Sequence, residues 1–136
     1  MIKQETWMEV AETIAKESKA INAKVGAVAI KDDRIIATGY NGTPPGYTNK
    51  CEDEDGKTKE YVIHAEINTI AFASKHGVAL DGATMYCSLS PCVACAAVMR
   101  SAGILHVVYR TAYRDTRGLQ LLSDMGIKVT QLQPKE

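Results

Sequence analysis

The sequence predicts an α/β fold, a three-layer α/β/α sandwich around a five-stranded mixed sheet with helices on both faces. Its 136 residues have the length of a single domain, so residues 1–136 are treated as one unit. The 46% hydrophobic and 24% charged residues are typical of a soluble globular protein. In the second half, short β-branched runs alternate with helical patterns, as in parallel strands joined by helical crossovers.

Periodicity and turn residues predict the individual elements. Helices are expected over residues 4–19, 63–75, 91–102 and 116–125. Strands are expected over residues 25–30, 34–39, 83–88, 104–109 and 127–132. The first two strands flank an Asp-Asp turn and should form an antiparallel hairpin, whereas the later strands should run parallel. The polar stretch at 48–60 is interpreted as a solvated loop whose degree of order is open.

Charge and hydropathy exclude several classes of protein. Sixteen Lys and Arg balance sixteen Asp and Glu, so no overall basic field exists and nucleic acid is not an expected partner. No apolar run approaches the roughly 18 residues of a membrane span. The first residues lack the apolar core of a signal peptide, so we expect a cytoplasmic protein with reduced thiols. Its four cysteines therefore indicate metal ligands or reactive thiols before disulfides.

Two short motifs point to a metal site, namely His64-Ala65-Glu66 and Pro91-Cys92-Val93-Ala94-Cys95. Two cysteines in a Cys-x-x-Cys at a helix start reach one ion, and the helix dipole favours their thiolates. One imidazole and two thiolates suit Zn²⁺ and leave its fourth position open, as in catalytic sites. A water in that position becomes acidic enough to react near neutral pH.

Glu66 is the expected catalytic residue. In a regular helix it would be rotated about 200° from His64, so we expect His64 at the very start of the helix, where the geometry is looser. Glu66 then reaches the water, takes its proton and returns it to a leaving group. The ordered pair His-x-Glu and Pro-Cys-x-x-Cys is the pattern of zinc deaminases.

Other interpretations of these residues remain open. A non-enzymatic, structural zinc module would need a fourth protein ligand, for which Cys51 and Cys87 are the candidates. Cys87 is interpreted as a small core residue, and Cys51 as a free thiol or the ligand of a second metal. A redox dithiol would explain Cys92 and Cys95, but it would leave the His-x-Glu motif without a role.

Beyond the zinc motif, the sequence resembles the deoxycytidylate (dCMP) deaminases over about residues 7–129. The resembling segments are residues 24–28, 39–46, 63–70, 82–86, 89–92 and 95–96. The stretch 39–46 is more specific to these enzymes than the zinc motif, which all cytidine-deaminase-like enzymes share. The resemblance implies the cytidine-deaminase-like sandwich and hydrolysis of dCMP to dUMP and ammonia, which feeds thymidylate synthesis.

The resemblance leaves the substrate and the assembly to be tested. Alternative substrates are dCTP, free cytidine or deoxycytidine, and adenosine in tRNA, although the zero net charge counts against tRNA. Members of the family are commonly hexamers built from dimers. A homohexamer is therefore expected by resemblance, with a dimer as the alternative.

By the same resemblance, four residues are expected to bind the substrate. Arg114 and Lys24 are expected near the phosphate, which needs cationic or amide donors. Tyr113 would pack on the base or sugar, and Asn41 would contact the sugar and the base edge. The alternative is a solvated basic face formed by Arg110, Arg114 and Arg117.

Many relatives are regulated by nucleoside triphosphates, with dCTP and Mg²⁺ activating and dTTP inhibiting. The segment 39–46 resembles the effector-binding segment of these relatives. Its glycines would let the backbone approach a triphosphate closely. The residues expected there are Gly39, Tyr40, Gly42, Pro44 and Gly46. A plain Gly/Pro turn is the alternative interpretation.

Overall fold

The computed structural model of the chain describes residues 1–134. Within this range, the helices are α1 (Gln4–Ala15), α2 (Ala65–Lys75), α3 (Val93–Ser101) and α4 (Arg117–Asp124). The strands are β1 (Gly26–Lys31), β2 (Arg34–Tyr40), β3 (Thr84–Leu89), β4 (His106–Thr111) and β5 (Lys128–Gln131). No helix among these residues is long and apolar enough to cross a membrane.

The five strands form one mixed sheet in the order β2-β1-β3-β4-β5. Strand β1 pairs antiparallel with β2 and with β3, whereas β3, β4 and β5 are parallel. Helices α3 and α4 make the two crossovers between the parallel strands. The expected five-stranded mixed sheet, with an initial hairpin and later parallel strands, is confirmed.

The two faces of the sheet are covered by different helices, which confirms the three-layer sandwich. On β1, Val28 and Ile30 belong to the apolar cluster that α1 covers with Trp7, Met8 and Ala11. The alternate residues Ala27 and Ala29 belong to the larger cluster on the opposite face, which includes residues of α2, α3 and α4. Side chains that alternate between the faces of a strand produce this division.

Two close approaches of the backbone hold the helix starts in place. A Cβ atom at Gly39 would lie 2.6–2.8 Å from atoms of Ala65 and Thr69, so β2 packs directly on the first turns of α2. A Cβ atom at Gly118 would lie 2.1 Å from the carbonyl oxygen of Pro91, so α4 packs directly on the segment that precedes α3. The His64-Ala65-Glu66 motif lies at the start of α2, and the motif that contains Cys92 and Cys95 lies at the start of α3.

Helix α1 is shorter than the periodicity predicts and ends at Ala15 rather than at residue 19. The buried Ser18 explains the break, because its hydroxyl donates to the carbonyl oxygen of Asn41 at 2.8 Å and accepts from the amide of Ala20. The next regular element is β1, so residues 20–25 follow an irregular path.

The polar stretch 48–60 is not simply a solvated loop. We call residues 51–59 the acidic hairpin, because Glu52 and Thr58 form an antiparallel bridge and the Lys59 amide donates to the Cys51 carbonyl oxygen. The Asp53 carboxylate accepts from two backbone amides of its turn. Cys51 and Glu52 are buried, so the expectation of a solvated loop is wrong at these residues. These hydrogen bonds order a segment whose composition resembles that of a mobile loop.

Candidate active site

The two motifs meet because each lies at the N-terminus of a helix. His64 is the N-cap of α2 and Cys92 is the N-cap of α3, both with extended backbone. Cys95 lies in the first turn of α3, and its amide donates to the Cys92 sulfur at 3.4 Å. His64 therefore lies just before the regular helix, as predicted. The rotation that a regular helix would place between His64 and Glu66 does not apply to it.

The imidazole and the two sulfurs form a compact donor set. His64 Nδ1 lies 3.2 Å from Cys95 Sγ and 3.5 Å from Cys92 Sγ, and the three donor atoms all lie within 4.8 Å of one another. Nitrogen and sulfur ligands of one tetrahedral Zn²⁺ are separated by about 3.5 Å, given the usual bond lengths. The donor set therefore fits zinc.

The number of protein ligands distinguishes a catalytic from a structural site. Among residues 1–134, the potential metal-binding group contains three members and includes neither Cys51 nor Cys87. Both of these cysteines are buried and form no disulfide, and Cys87 belongs to the core as predicted. Whether Cys51 is a free thiol or binds a second metal stays a prediction. Three protein ligands are typical of catalytic zinc, whereas structural zinc is closed by four.

The chemistry of Cys95 depends on a cation. Burial raises the pKa of the Cys95 thiol, and the nearby negative charges of Glu66 and Cys92 raise it further. A divalent cation reverses this effect, because it binds the thiolate and not the thiol. The site therefore opposes a free thiolate at Cys95, and a bound cation would stabilise that thiolate.

Glu66 is an almost fully buried carboxyl group in the first turn of α2, 3% exposed. Loss of hydration raises the pKa of Glu66 to about 7, although hydrogen bonds from its own backbone amide and from Cys95 lower it in part. A carboxyl group with a pKa near neutrality can both accept and return a proton at physiological pH. Its properties thus suit general acid–base catalysis.

A cavity of about 480 Å³ opens in front of these groups. Its volume is in the range of pockets for small ligands. It is lined by six of the residues singled out from the sequence, Asn41, His64, Glu66, Cys92, Tyr113 and Arg114. The structure thus brings together the metal-binding motif, the acid and three of the four expected substrate contacts.

Three arginines near the carboxyl end of β4 have different surroundings. Arg110 is buried and forms ion pairs with two glutamates of α1. Arg117 pairs with Asp115, 2.7 Å away. Arg114 lines the cavity, and no carboxylate of residues 1–134 forms an ion pair with it. Arg114 is thus the arginine of the three that is available to an anionic ligand in the cavity.

The segment that carries Tyr113 is tied to the metal-binding segment. The Tyr113 amide donates to the hydroxyl of Ser90 at 2.7 Å, and Ser90 is 4% exposed. Ser90 comes two residues before Cys92 in the chain. Ser90 belongs to the resembling segment 89–92, but no role for it is predicted, since a serine after a strand gives no signal of a long-range hydrogen bond.

Asn41 lies in the cavity wall and also binds the backbone beside it. Its Oδ1 accepts from the Val25 amide at 2.9 Å, and its Nδ2 donates to the Ala23 carbonyl oxygen at 2.8 Å. The amide group can make further hydrogen bonds from both ends. Contact of Asn41 with the sugar and base edge therefore stays a prediction, while its hydrogen bonds to the chain are observed.

Lys24 lies elsewhere. It lines a neighbouring cavity of about 380 Å³, together with Glu12, Lys16 and Thr111. The structure does not place it among the residues that line the cavity of the metal-binding motif. A role of Lys24 in phosphate binding stays a prediction.

The expected effector segment forms part of a third cavity, of about 350 Å³. Its lining includes Gly39, Tyr40, Gly42, Pro44 and Gly46. Lys19 contributes a basic side chain, and the buried Cys51 lies at the same cavity. Gly39 has a packing reason of its own, since α2 occupies the space of its Cβ atom.

Besides Ser90, sequence reasoning missed two polar residues that line the main cavity, Asn22 and Thr58. Asn22 lies in the irregular segment after α1, and Thr58 lies in the acidic hairpin. Neither belongs to a motif, and both lie in stretches that composition alone marks as turn or loop.

An α/β/α domain with a His-Cys-Cys donor set beside a buried glutamate defines the class of zinc-dependent deaminases. The comparison with protein families agrees with this class. Residues 1–111 match the model of the cytidine and deoxycytidylate deaminase zinc-binding region. The chain belongs to this family.

Individual relatives are similar over nearly the whole chain. The deoxycytidylate deaminase of Enterobacteria phage T4 is 33% identical over 98% of this chain and 92% of its own length. The deoxycytidylate deaminase of Schizosaccharomyces pombe is 36% identical over 96% of this chain, which spans only 44% of that protein. A crystal structure of the dCMP deaminase from cyanophage S-TIM5, in complex with dCMP and dUMP, has a TM-score of 0.93 at 38% identity and covers 97% of this chain and 100% of its own. The predicted family resemblance is confirmed.

Proposed function

We propose that this protein catalyses the hydrolytic deamination of dCMP to dUMP and ammonia. The observation that carries the proposal is a single cavity lined by the ligands His64 and Cys92, the buried Glu66 and Arg114, which forms no ion pair within residues 1–134. The likeness to a dCMP deaminase solved with dCMP and dUMP supports the same substrate. A nucleoside monophosphate offers one group to each end of such a site, the amine to the metal centre and the phosphate to the arginine.

In this proposal, His64 Nδ1 and the sulfurs of Cys92 and Cys95 hold Zn²⁺. When bound, the ion activates water and stabilises negative charge that develops in the reaction. Glu66 accepts a proton from the attacking water and passes it to N3 of the ring. It then transfers the second proton of that water to the departing amine. A C–O bond forms at C4 and the C–N bond breaks, so water and dCMP give dUMP and ammonia.

Substrate binding is assigned to residues around the rest of the cavity. The Arg114 guanidinium binds the phosphate, since a planar cation suits phosphate oxygens. Tyr113 packs on the base or sugar, and Asn41 contacts the sugar and base edge. Lys24, which lines the neighbouring cavity, supplies positive charge nearby.

The decisive experiment compares substrates on protein of known zinc content. Ammonia release is measured with dCMP, dCTP, deoxycytidine and a tRNA anticodon loop. The expected result is the highest kcat/KM for dCMP. A higher kcat/KM for any of the other three substrates, or no turnover of dCMP by zinc-loaded protein, contradicts the proposal.

The proposal extends to regulation, with dCTP and Mg²⁺ as activator and dTTP as inhibitor. It also extends to the cellular role, which is the supply of dUMP for thymidylate synthesis in the cytoplasm. The separate cavity at residues 39–46 supports an effector site distinct from the main cavity. By the resemblance alone we propose a homohexamer, with a dimer as the alternative. Sigmoidal dCMP kinetics that become hyperbolic with dCTP are expected. Hyperbolic kinetics that neither triphosphate changes contradict regulation.

A further inference from the structure

The acidic hairpin contains a buried carboxylate that the proposed chemistry does not use. Glu52 is 5% exposed, and its Oε2 accepts hydrogen bonds from the amides of Ile21 at 3.0 Å and Asn22 at 3.2 Å. No ion pair involves this carboxylate among residues 1–134. A buried charge is costly unless hydrogen bonds satisfy it. The two backbone amides are therefore the partners that stabilise Glu52 in the folded chain.

The backbone that Glu52 holds is part of the wall of the main cavity. Residues 20–25 belong to no helix or strand, yet Ala20, Asn22, Ala23 and Val25 all line this cavity. A segment without a helical or sheet ladder depends on individual hydrogen bonds for its position.

Two side chains supply these hydrogen bonds from different parts of the chain. Asn41 binds the backbone of Ala23 and Val25, at the second half of the segment. Glu52 binds the backbone amides of Ile21 and Asn22, at the first half of the segment. The wall is thus anchored at two successive points, one at the end of β2 and one in the acidic hairpin.

The hairpin also contributes to the wall directly. The side-chain amide of Asn22 donates to the Gly56 carbonyl oxygen at 2.9 Å and to Thr58 Oγ1 at 3.1 Å. Thr58 lines the cavity and forms the bridge with Glu52. Asn22, Thr58 and Glu52 therefore connect the irregular segment and the hairpin into one surface.

We propose that Glu52 is a positioning residue for substrate binding, which holds the backbone of Ile21 and Asn22 so that the cavity wall is formed before the substrate arrives. The proposal rests on the proposed function. No hydrogen bond joins Glu52 to the metal-binding residues or to Glu66 in the described chain. A wall that contacts the unreactive part of a substrate contributes equally to ground-state and transition-state binding. Loss of the preorganised wall therefore weakens substrate binding and leaves the rate of the chemical step unchanged.

The test compares Glu52→Ala and Glu52→Gln with Glu54→Ala, which alters an exposed carboxylate of the same hairpin. Values of kcat and KM for dCMP are measured on protein of known zinc content. Glu52→Ala is expected to raise KM roughly 10- to 100-fold, the effect of losing a charged hydrogen-bond partner, with kcat within about threefold of wild type. Glu52→Gln is expected to have a smaller effect, because its carbonyl oxygen still accepts both hydrogen bonds without the charge. Glu54→Ala is expected to match wild type.

A second readout does not depend on activity. Amide hydrogen exchange of a peptide that covers residues 20–25 is expected to become faster in both Glu52 variants and to stay unchanged in Glu54→Ala. An unchanged KM in Glu52→Ala, or a fall in kcat that follows loss of zinc, overturns the positioning role. If Glu52→Ala does not fold, Glu52→Gln carries the same comparison. If wild type does not turn over dCMP, the proposed function fails, and unchanged exchange in the variants separately overturns the anchoring by Glu52.

Discussion

The inner and outer parts of the cavity are built in different ways. At the inner end, three metal-binding residues and the acid come from two short motifs at the starts of α2 and α3. At the outer end, the wall comes from irregular backbone that long-range hydrogen bonds hold, such as that from the Ile21 amide to Glu52. Regular helices and close backbone contacts at Gly39 and Gly118 support the inner part. The comparison indicates that the groups of the proposed chemistry lie at the starts of regular helices, whereas part of the wall proposed to contact the substrate lies on irregular backbone.

Removal of the metal is expected to have the largest effect on activity, and it acts on the inner part of the cavity. Chelation should abolish the proposed deamination, because the site loses both its water activation and its means of stabilising two thiolates, of which that of Cys95 is buried. Activity is expected to return in proportion to added Zn²⁺, with one ion per chain, as measured by metal analysis and ammonia release. Full activity in protein shown to be free of metal would contradict the inner site.

A matched pair of variants sharpens this prediction. Cys92→Ser is expected to lose zinc and activity, whereas Cys51→Ser is expected to keep one zinc per chain, since Cys51 lies outside the donor set. Loss of a second equivalent of metal in Cys51→Ser would instead show that Cys51 binds another ion.

The next largest effect is expected for Glu66→Gln, which keeps the shape of the side chain and removes its acid–base function. The value of kcat should fall by roughly 10² to 10⁴, the usual contribution of a general acid–base group. Zinc content should stay at the wild-type value, since Glu66 is not in the donor set. Activity within a fewfold of wild type at full zinc occupancy would exclude the proposed proton transfer.

Arg114→Ala tests the outer part of the cavity. The KM for dCMP should rise by roughly 10- to 100-fold, the effect of losing a charged hydrogen-bond donor, whereas the KM for deoxycytidine should change little. Arg117→Ala is the control, because this exposed arginine is paired with Asp115 and does not line the cavity. Equal changes for both substrates in Arg114→Ala would remove it from the phosphate site.

The smallest effect is expected for Gly118→Ala, which alters the close contact between α4 and the segment that precedes α3. In Gly118→Ala the new methyl group meets the Pro91 carbonyl oxygen, so α4 or the segment before α3 must shift. Overpacking of this kind destabilises proteins by about 1–3 kcal/mol. Thermal denaturation should show this loss together with weaker zinc retention. Gln120→Ala, an exposed change on the same helix, should leave both near wild type.

The parts of the molecule that the sequence predicts are those governed by local rules. The strand and helix pattern predicts the sheet correctly, and the two motifs predict the grouping of His64, Cys92 and Cys95 that the structure shows. The catalytic role of Glu66 stays a prediction. The end of α1 was predicted four residues too late, because the hydrogen bonds of Ser18 compete with the helix. Side-chain to backbone bonds of this kind have no periodic signature.

The outer wall escapes sequence reasoning for a physical reason. Glu52 binds residues 30 and 31 positions earlier in the chain, a pairing that depends on the folded path and not on neighbouring residues. Its position in a strongly acidic stretch suggests a solvated charge, yet it is buried. Likewise, the spacing of Lys24 from β1 does not tell which of two adjacent cavities its side chain lines.

The hydrogen bond from the Tyr113 amide to the Ser90 hydroxyl connects the segment between β4 and α4 to the segment that precedes Cys92. Under the proposed function, we expect changes in the residues that follow Tyr113 to alter which substrate is bound while this hydrogen bond keeps the segment before Cys92 in place. A redesign of specificity would therefore keep Ser90 and rebuild the loop that follows Tyr113.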